Sequence, residues 1–235
     1  MLAIFKRELR SYFVGVIGYV FLVIYLTIAG VLFSYTTMFA MSSDVTQYFT
    51  LMLVFSAVVL PLLTMKSFSE ERKTKTEQLI LTAPVSIPAM VFGKFLASYA
   101  VFGAATVFSS FYFLFLVPYA KLQFAILFGN LLALLLVGMV FISIGLFVSA
   151  LTENQLSAAI GTIAIILAFL GIGLINNLIP TNYSIRFIFS AISIFSRFQS
   201  YVNGYFEFAT LVYYLSVSGI FLWLTIRVYD RRRFG

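Results

Sequence analysis

Long apolar runs alternate with short polar stretches along the whole chain. A helix needs about 20 residues to cross hydrocarbon about 30 Å thick, and each apolar run reaches roughly that length. The pattern predicts six spans, at 14–38, 48–65, 87–117, 124–151, 156–178 and 209–228. We therefore expect an all-α polytopic membrane protein, with one transmembrane domain over residues 1–235.

Residues 1–13 precede the first span and show helical periodicity. The apolar positions are Leu2, Phe5, Leu9 and Tyr12, and the basic positions on the other side are Lys6, Arg7 and Arg10. This pattern is typical of an amphipathic helix lying in the membrane interface. Ile4 departs from it. The alternative is an ordinary basic flank of the first span that is merely helical.

Residues 66–86 form a polar stretch between spans 2 and 3, with seven charges. Ser67 and Glu70 fit a capping box at the start of a short helix. Two ion pairs at helical spacing are expected, Glu71–Lys75 and Lys73–Glu77. The stretch is predicted to be a helix that docks on a soluble motor subunit. The alternative is a solvated loop whose basic residues only fix the topology.

Residues 179–208 are too polar for a clean span and too apolar for a clean loop. Apolar residues at helical spacing over 185–192 predict an amphipathic helix. We expect one or two short helices that lie on, or dip into, the outer surface. Span 6 and a basic tail complete the chain over 209–235.

The distribution of basic residues predicts the orientation. Six spans place both termini on one side, which would carry twelve of the fifteen Lys and Arg residues. The positive-inside rule makes that side cytoplasmic. The polar stretch would then face the cytoplasm, and Lys94, in the first turns of span 3, is expected at the cytoplasmic surface.

The amino-acid composition excludes several classes of site and of function. The chain is 62% hydrophobic and 10% charged, with no cysteine and no histidine. Disulfides and His or Cys metal sites are excluded, and the net charge of +7 fits anionic lipid rather than nucleic acid. No charge lies near the middle of a predicted span, which argues against an ion-coupled carrier or voltage sensor.

The chain also lacks a nucleotide-binding loop. Gly93-Lys94 is the only Gly-Lys pair; Phe95 follows it, and Pro88 stands where the first glycine of the loop should be. We therefore expect no ATP hydrolysis by this chain. Its cytoplasmic carboxylates, among basic partners, are expected to be ordinary surface pairs, and no residue is proposed as catalytic, cofactor-binding or metal-binding.

Four stretches resemble the permease subunits of ABC-2 type transporters, in the class related to gliding-motility and nitrous-oxide-reductase-maturation permeases. They are FKRELRSYF from Phe5, SFSEERKTKTEQLILTAPVS from Ser67 with the later Gly93-Lys94 pair, SRFQSYVNG from Ser196, and VYYLSVSGIFLWLTIRVYDRRR from Val212. The second stretch is the most specific. Many members of the family have Gly-Thr where this chain has Lys75-Thr76.

The resemblance implies a half-transporter whose partners are cytoplasmic P-loop ATPase subunits, a second permease (identical or homologous) and membrane lipids. ATP and Mg would belong to the ATPase, and this chain would hold no cofactor. The contacts with the ATPase would be Glu70, Glu71, Arg72, Lys73, Thr76, Glu77 and Leu81. The residues of the interfacial helix would be Phe5, Lys6, Arg7, Leu9 and Arg10.

The leading hypothesis is therefore a permease subunit in the cell membrane, with both termini cytoplasmic, that forms the path of an exporter and is moved by a separate ATPase. The alternative is a membrane protein without a motor, such as a lipid scramblase, a channel or an assembly scaffold. The sequence leaves the transported substrate open.

Overall fold

The computed structural model describes residues 1–42, 44–78, 86–119, 123–178, 193–204 and 207–234. In these residues the secondary structure is helical. The helices are α1 Leu2–Val14, α2 Val16–Phe33, α3 Thr46–Thr64, α4 Lys66–Lys73, α5 Ile87–Ser110, α6 Phe124–Leu151, α7 Gln155–Leu178, α8 Ile194–Val202 and α9 Phe208–Phe234. A π-helical turn, Ser34–Phe39, extends α2, and a 3₁₀ turn, Phe111–Leu116, extends α5.

Six of these helices are long and apolar enough to cross a membrane. They are Val16–Phe39, Thr46–Lys73, Ile87–Leu116, Phe124–Leu151, Gln155–Gly173 and Phe208–Arg233. This confirms the all-α, six-span prediction. The amphipathic helix predicted over 185–192 lies outside the described residues, while α8 falls in the SRFQSYVNG stretch that follows it.

Helix α6 is the centre of the bundle. It packs against α3, α5, α7, α8 and α9, and its C-terminal end also contacts α4. Within its most apolar window, 67% of the residues are buried, compared with 28% for α2 and for α9. The peripheral helices therefore keep broad apolar faces for lipid or for another membrane protein.

Two glycines permit the close packing around α6. A Cβ at Gly138 would overlap the buried ring of Phe102 on α5, and a Cβ at Gly145 would overlap the side chain of Thr64 on α3. Small residues at such crossings allow helices to approach closely in a membrane, where dispersion contacts contribute much of the association. In the span of α7, by contrast, Gly171 has no neighbour within 4 Å of the position of a Cβ.

Aromatic rings pack where spans 1, 2 and 3 meet. The ring of Phe113 lies 5.2 Å from that of Phe33, 5.0 Å from that of Tyr48 and 5.9 Å from that of Phe49. The first two pairs are edge-to-face and the third is stacked, and aromatic pairs contribute about 0.5–1.5 kcal/mol each beyond the burial of area. The cluster fixes this end of the three spans, opposite the end that carries α4.

Candidate functional site

The polar stretch begins as a continuation of span 2. Only Met65 separates α3 from α4, and its backbone dihedral angles are helical (φ −55°, ψ −34°). The predicted capping box is therefore wrong: Ser67 is buried inside the first turn of α4 and does not precede it. Because α4 continues α3, a displacement of α4 acts on span 2 without an intervening loop.

Ser149 attaches α4 to the end of α6. Its hydroxyl oxygen accepts hydrogen bonds from the backbone N–H groups of Phe68 and Ser69, each at 3.1 Å. The same hydroxyl donates to the carbonyl of Met65 at 3.1 Å. These amides lie in the first turn of α4, where helical carbonyl partners are missing. One buried side chain of span 4 thus supplies hydrogen bonds to three backbone groups at the junction between α3 and α4.

Two arginines bind the carbonyl groups at the C-terminal end of α6. Arg72 donates to the carbonyl of Leu151 at 2.8 Å, and Arg232 of α9 donates to that of Ala150 at 2.7 Å. Guanidinium groups are favoured there because the last carbonyls of a helix are unpaired and its dipole is negative at this end. Arg72 also pairs with Glu153 at 3.0 Å.

The two ion pairs expected inside the stretch are not formed. Glu77 pairs with Arg232 of α9 at 3.1 Å, and Glu71 pairs with Lys94 of α5 at 2.8 Å. Both carboxylates therefore link the stretch to other helices rather than to its own lysines. The pair at helical spacing that does form is Lys66–Glu70, at 3.3 Å, and it is exposed.

Lys94 is the centre of a buried charge cluster between α1 and α4, and its place near the cytoplasmic surface of the membrane stays a prediction. Its side chain is 1% exposed, and its ammonium donates to the carbonyl of Ser67 at 2.6 Å and to Glu71 at 2.8 Å. Its ammonium also lies 3.4 Å from the carboxylate of Glu8 on α1 and 4.9 Å from the ring centroid of Phe68. Glu8 and Glu71 are thus not ordinary surface carboxylates.

Helix α1 packs on α5 through a face that differs from the predicted one. The residues that it partly buries are Ile4, Phe5, Glu8, Leu9 and Tyr12, whereas Leu2 is 73% exposed. Ile4, which departs from the predicted stripe, lies against Gly93, where a Cβ would be 2.9 Å from Ile4 Cγ2. Lys6, Arg7 and Arg10 are exposed as predicted from the pattern.

Tyr12 connects α1 to two spans. Its hydroxyl lies 3.2 Å from the carbonyl oxygen of Leu63 in α3, to which it donates, and 2.8 Å from the hydroxyl of Ser98 in α5. Burial raises the pKa of the Tyr12 phenol above its ordinary value, so its hydroxyl remains a hydrogen-bond donor further into the alkaline range than that of an exposed tyrosine.

The outward surface of the stretch is a ridge, which we define as Lys73, Thr74, Lys75, Thr76 and Gln78. All five residues are exposed. Lys75 has a φ of +58°, the left-handed conformation that often ends a helix. Glycine adopts this conformation without steric cost, which gives a physical reason for the glycine that many members of the resembling family have here.

The seven predicted contacts with the ATPase thus separate into groups. Glu70, Lys73 and Thr76 face outward at least in part, whereas Glu71, Arg72 and Glu77 make contacts within the chain. Leu81 lies outside the described residues. A cleft of about 460 Å³ separates the ridge side of α4 from α1 and is lined by Arg7, Glu8, Tyr12, Glu70, Glu71 and Lys94 among others.

Sequence reasoning missed Glu8, Lys94, Ser149 and Arg232 as site residues. The signal for Glu8 was its position between Phe5 and Leu9, which places a carboxylate on the apolar side of α1. The signal for Lys94 was a lysine eight residues into an apolar span. Ser149 had no sequence signal, because a serine in a span is more often a packing residue.

Six apolar helices indicate a multi-pass membrane protein, and one end of the bundle carries the anchored polar stretch with its exposed ridge. Comparison with known protein families matches residues 21–232 to the ABC-2 family transporter protein, and the chain belongs to that family. It is thus a membrane permease subunit of an ABC transporter, a class of subunit that is generally non-catalytic. Comparison with curated proteins finds no match.

Proposed function

We propose that this chain forms the translocation path of an ATP-driven exporter and is moved by a separate cytoplasmic ATPase that docks on the ridge. We call residues Lys66–Gln78 the coupling segment. In this proposal Glu70, Lys73 and Thr76 contact the ATPase directly, while Glu71, Arg72 and Glu77 hold the segment against the bundle.

The observation that carries the proposal is the anchoring of the coupling segment. It continues span 2, its Arg72 and buried amides bind the end of α6, and its carboxylates bind Lys94 of α5 and Arg232 of α9. A force on the exposed ridge is therefore delivered to spans 2, 3, 4 and 6 at once. A solvated loop that only fixed topology would need none of these bonds.

The cytoplasmic location of the ridge is supported by charge. Twelve of the fifteen basic residues fall on the side of the bundle that carries the ridge, if the six spans alternate in direction. A P-loop ATPase meets the ridge only on that side, where ATP is present. Both termini would then be cytoplasmic in the cell membrane.

Two further parts of the proposal rest on the family. One part is that another permease subunit, identical or homologous, packs against this chain. The peripheral helices offer exposed apolar faces for it, such as the face of α2 with Val20, Val23 and Val31. The second is outward transport, which is usual among ABC-2 type permeases. ATP and Mg belong to the ATPase in this scheme.

The test reverses one exposed positive charge on the ridge. Lys73→Glu should abolish co-purification of the P-loop ATPase and the stimulation of its ATP hydrolysis, while leaving the amount of permease in the membrane unchanged. The matched control is Arg10→Glu, which reverses an exposed charge of α1, outside the ridge. This control should retain the ATPase.

Two results would contradict the proposal. One is that the double variant Lys73→Glu with Lys75→Glu, which reverses both lysines of the ridge, still recruits the ATPase and stimulates its ATP hydrolysis normally. The other is full transport by the purified chain in liposomes without ATP, which is the behaviour of a scramblase or channel.

A further inference from the structure

Helix α1 and the coupling segment are far apart in sequence but are joined through a single side chain of span 3. The Lys94 ammonium lies 2.8 Å from a carboxylate oxygen of Glu71 and 3.4 Å from one of Glu8. Arg7 closes the group, at 2.6 Å from Glu8 and 3.5 Å from Glu71. Two cations and two carboxylates thus form a cluster without net charge.

Because Lys94 is buried, its ammonium depends on partners within the protein rather than on water. An ammonium taken out of water loses its hydration and is tolerated only where carboxylates and hydrogen-bond acceptors replace that hydration. Lys94 is 1% exposed, and the two carboxylates near its ammonium are those of Glu8 and Glu71. Moving α1 away from the coupling segment would remove Glu8 and leave this ammonium with one of its two carboxylates. The exposed pair Lys66–Glu70 imposes no such condition, because water replaces either partner.

The apolar contacts of α1 fix the same arrangement. Ile4 lies against Gly93, one residue before Lys94, and Tyr12 bonds to both span 2 and span 3. At its other end α1 joins span 1 through Gly15 alone, and a Cβ at Gly18 would press on the carbonyl of Tyr12. Helix α1 is thus held to spans 2 and 3 on one side and connected directly to span 1 on the other.

We propose that Lys94 is a positioning residue that clasps the interfacial helix α1 to the coupling segment, so that α1, α4 and the first turns of α5 move as one body. The inference rests on the proposed function for its role: when the ATPase displaces the ridge, α1 follows and carries the start of span 1 with it. Without the clasp, the displacement would reach span 1 only through the other helices of the bundle.

The test measures the distance between spin labels at Arg10→Cys on α1, which is exposed, and at Lys66→Cys at the start of the coupling segment, which is partly exposed, in the full chain in nanodiscs. The chain has no native cysteine, so the labels are specific. A neutral triple variant, Glu8→Gln with Glu71→Gln and Lys94→Met, removes the clasp without leaving a buried charge unpaired. The control is Glu153→Gln, which neutralises the exposed partner of Arg72 and leaves both the clasp and the proposed ATPase contacts in place.

We expect a single narrow distance in the parent and in the control, unchanged when the co-purifying ATPase and a non-hydrolysable ATP analogue are added. The neutral triple variant should give a broadened distribution. A shift of about 5 Å or more, one helical turn, on adding the analogue to the parent would overturn the clasp. So would a triple variant whose distribution equals that of the parent in every state.

These outcomes are separate from those of the proposed function. The measurement without ATPase compares the parent with the triple variant and tests the clasp alone. If no ATPase co-purifies with the parent, the proposed function fails, while the comparison in nanodiscs still supports or overturns the clasp. If the ATPase binds and the labels move apart, only the clasp fails.

Discussion

Ser149→Ala tests whether the coupling segment is held to span 4 by the bonds seen in the structure. The substitution removes the acceptor for the amides of Phe68 and Ser69 and the donor to Met65. All three groups lie in a region where the helix is interrupted and Ser149 itself is fully buried. The loss leaves two buried N–H groups without a partner.

The expected cost follows from those two amides. A buried donor left without a partner costs about 1–3 kcal/mol, so the two amides freed by Ser149→Ala should lower the free energy of unfolding by about 2–6 kcal/mol. The matched control is Ser143→Ala, because Ser143 lies six residues earlier on α6 and is also buried. The Ser143 hydroxyl donates only to the carbonyl of Val140, at 2.7 Å, and that carbonyl keeps its helical partner. We expect the control to cost less than about 1 kcal/mol.

The assay is unfolding of the purified chain in mixed micelles with increasing SDS, combined with hydrogen exchange of residues 66–73. Ser149→Ala should unfold at a lower SDS fraction and should speed exchange in α4 specifically. Equal costs for Ser149→Ala and Ser143→Ala, with α4 equally protected in both, would refute the attachment of the coupling segment to span 4.

Three further changes have expected effects on stability, each measured by thermal unfolding in detergent. Lys75→Gly relieves the left-handed conformation at φ +58° and should stabilise the chain, by about 1 kcal/mol or less; a loss of stability would contradict this. Gly138→Ala places a methyl group against Phe102 and should cost about 1–3 kcal/mol, whereas Gly171→Ala, with open space, should cost nothing. Asn130→Leu should raise the melting temperature, because both atoms of the Asn130 amide are buried without a hydrogen-bond partner among the described residues; a lower melting temperature would show that the amide is satisfied.

The spans could be predicted from sequence because hydrophobicity alone determines them. Span 4 was expected at 124–151 and is Phe124–Leu151, since no charged residue interrupts it and its ends coincide with turns. Span 6 was expected to end at 228, but α9 continues to Phe234 because the basic residues that leave the membrane remain helical and Arg232 binds α6.

The coupling segment was recognised from its charges, but its partners were not predictable. Helical spacing suggested that Glu71 and Glu77 would pair with neighbours in sequence. In the structure each pairs with a residue of another span, Lys94 and Arg232, because helix packing brings these cations within reach of the two carboxylates. Pairings of this kind depend on the arrangement of helices, which periodicity within one segment does not determine.

The central claim is that an ATPase drives this chain through the ridge at the cytoplasmic face. The most direct measurement places a photo-crosslinking amino acid at Lys73 in cells and, in parallel, labels Lys73→Cys with a membrane-impermeant maleimide. We predict a covalent adduct with a P-loop ATPase and labelling in inverted membrane vesicles only. Labelling of Lys73→Cys from outside intact cells, or adducts that never contain an ATPase, would contradict the account.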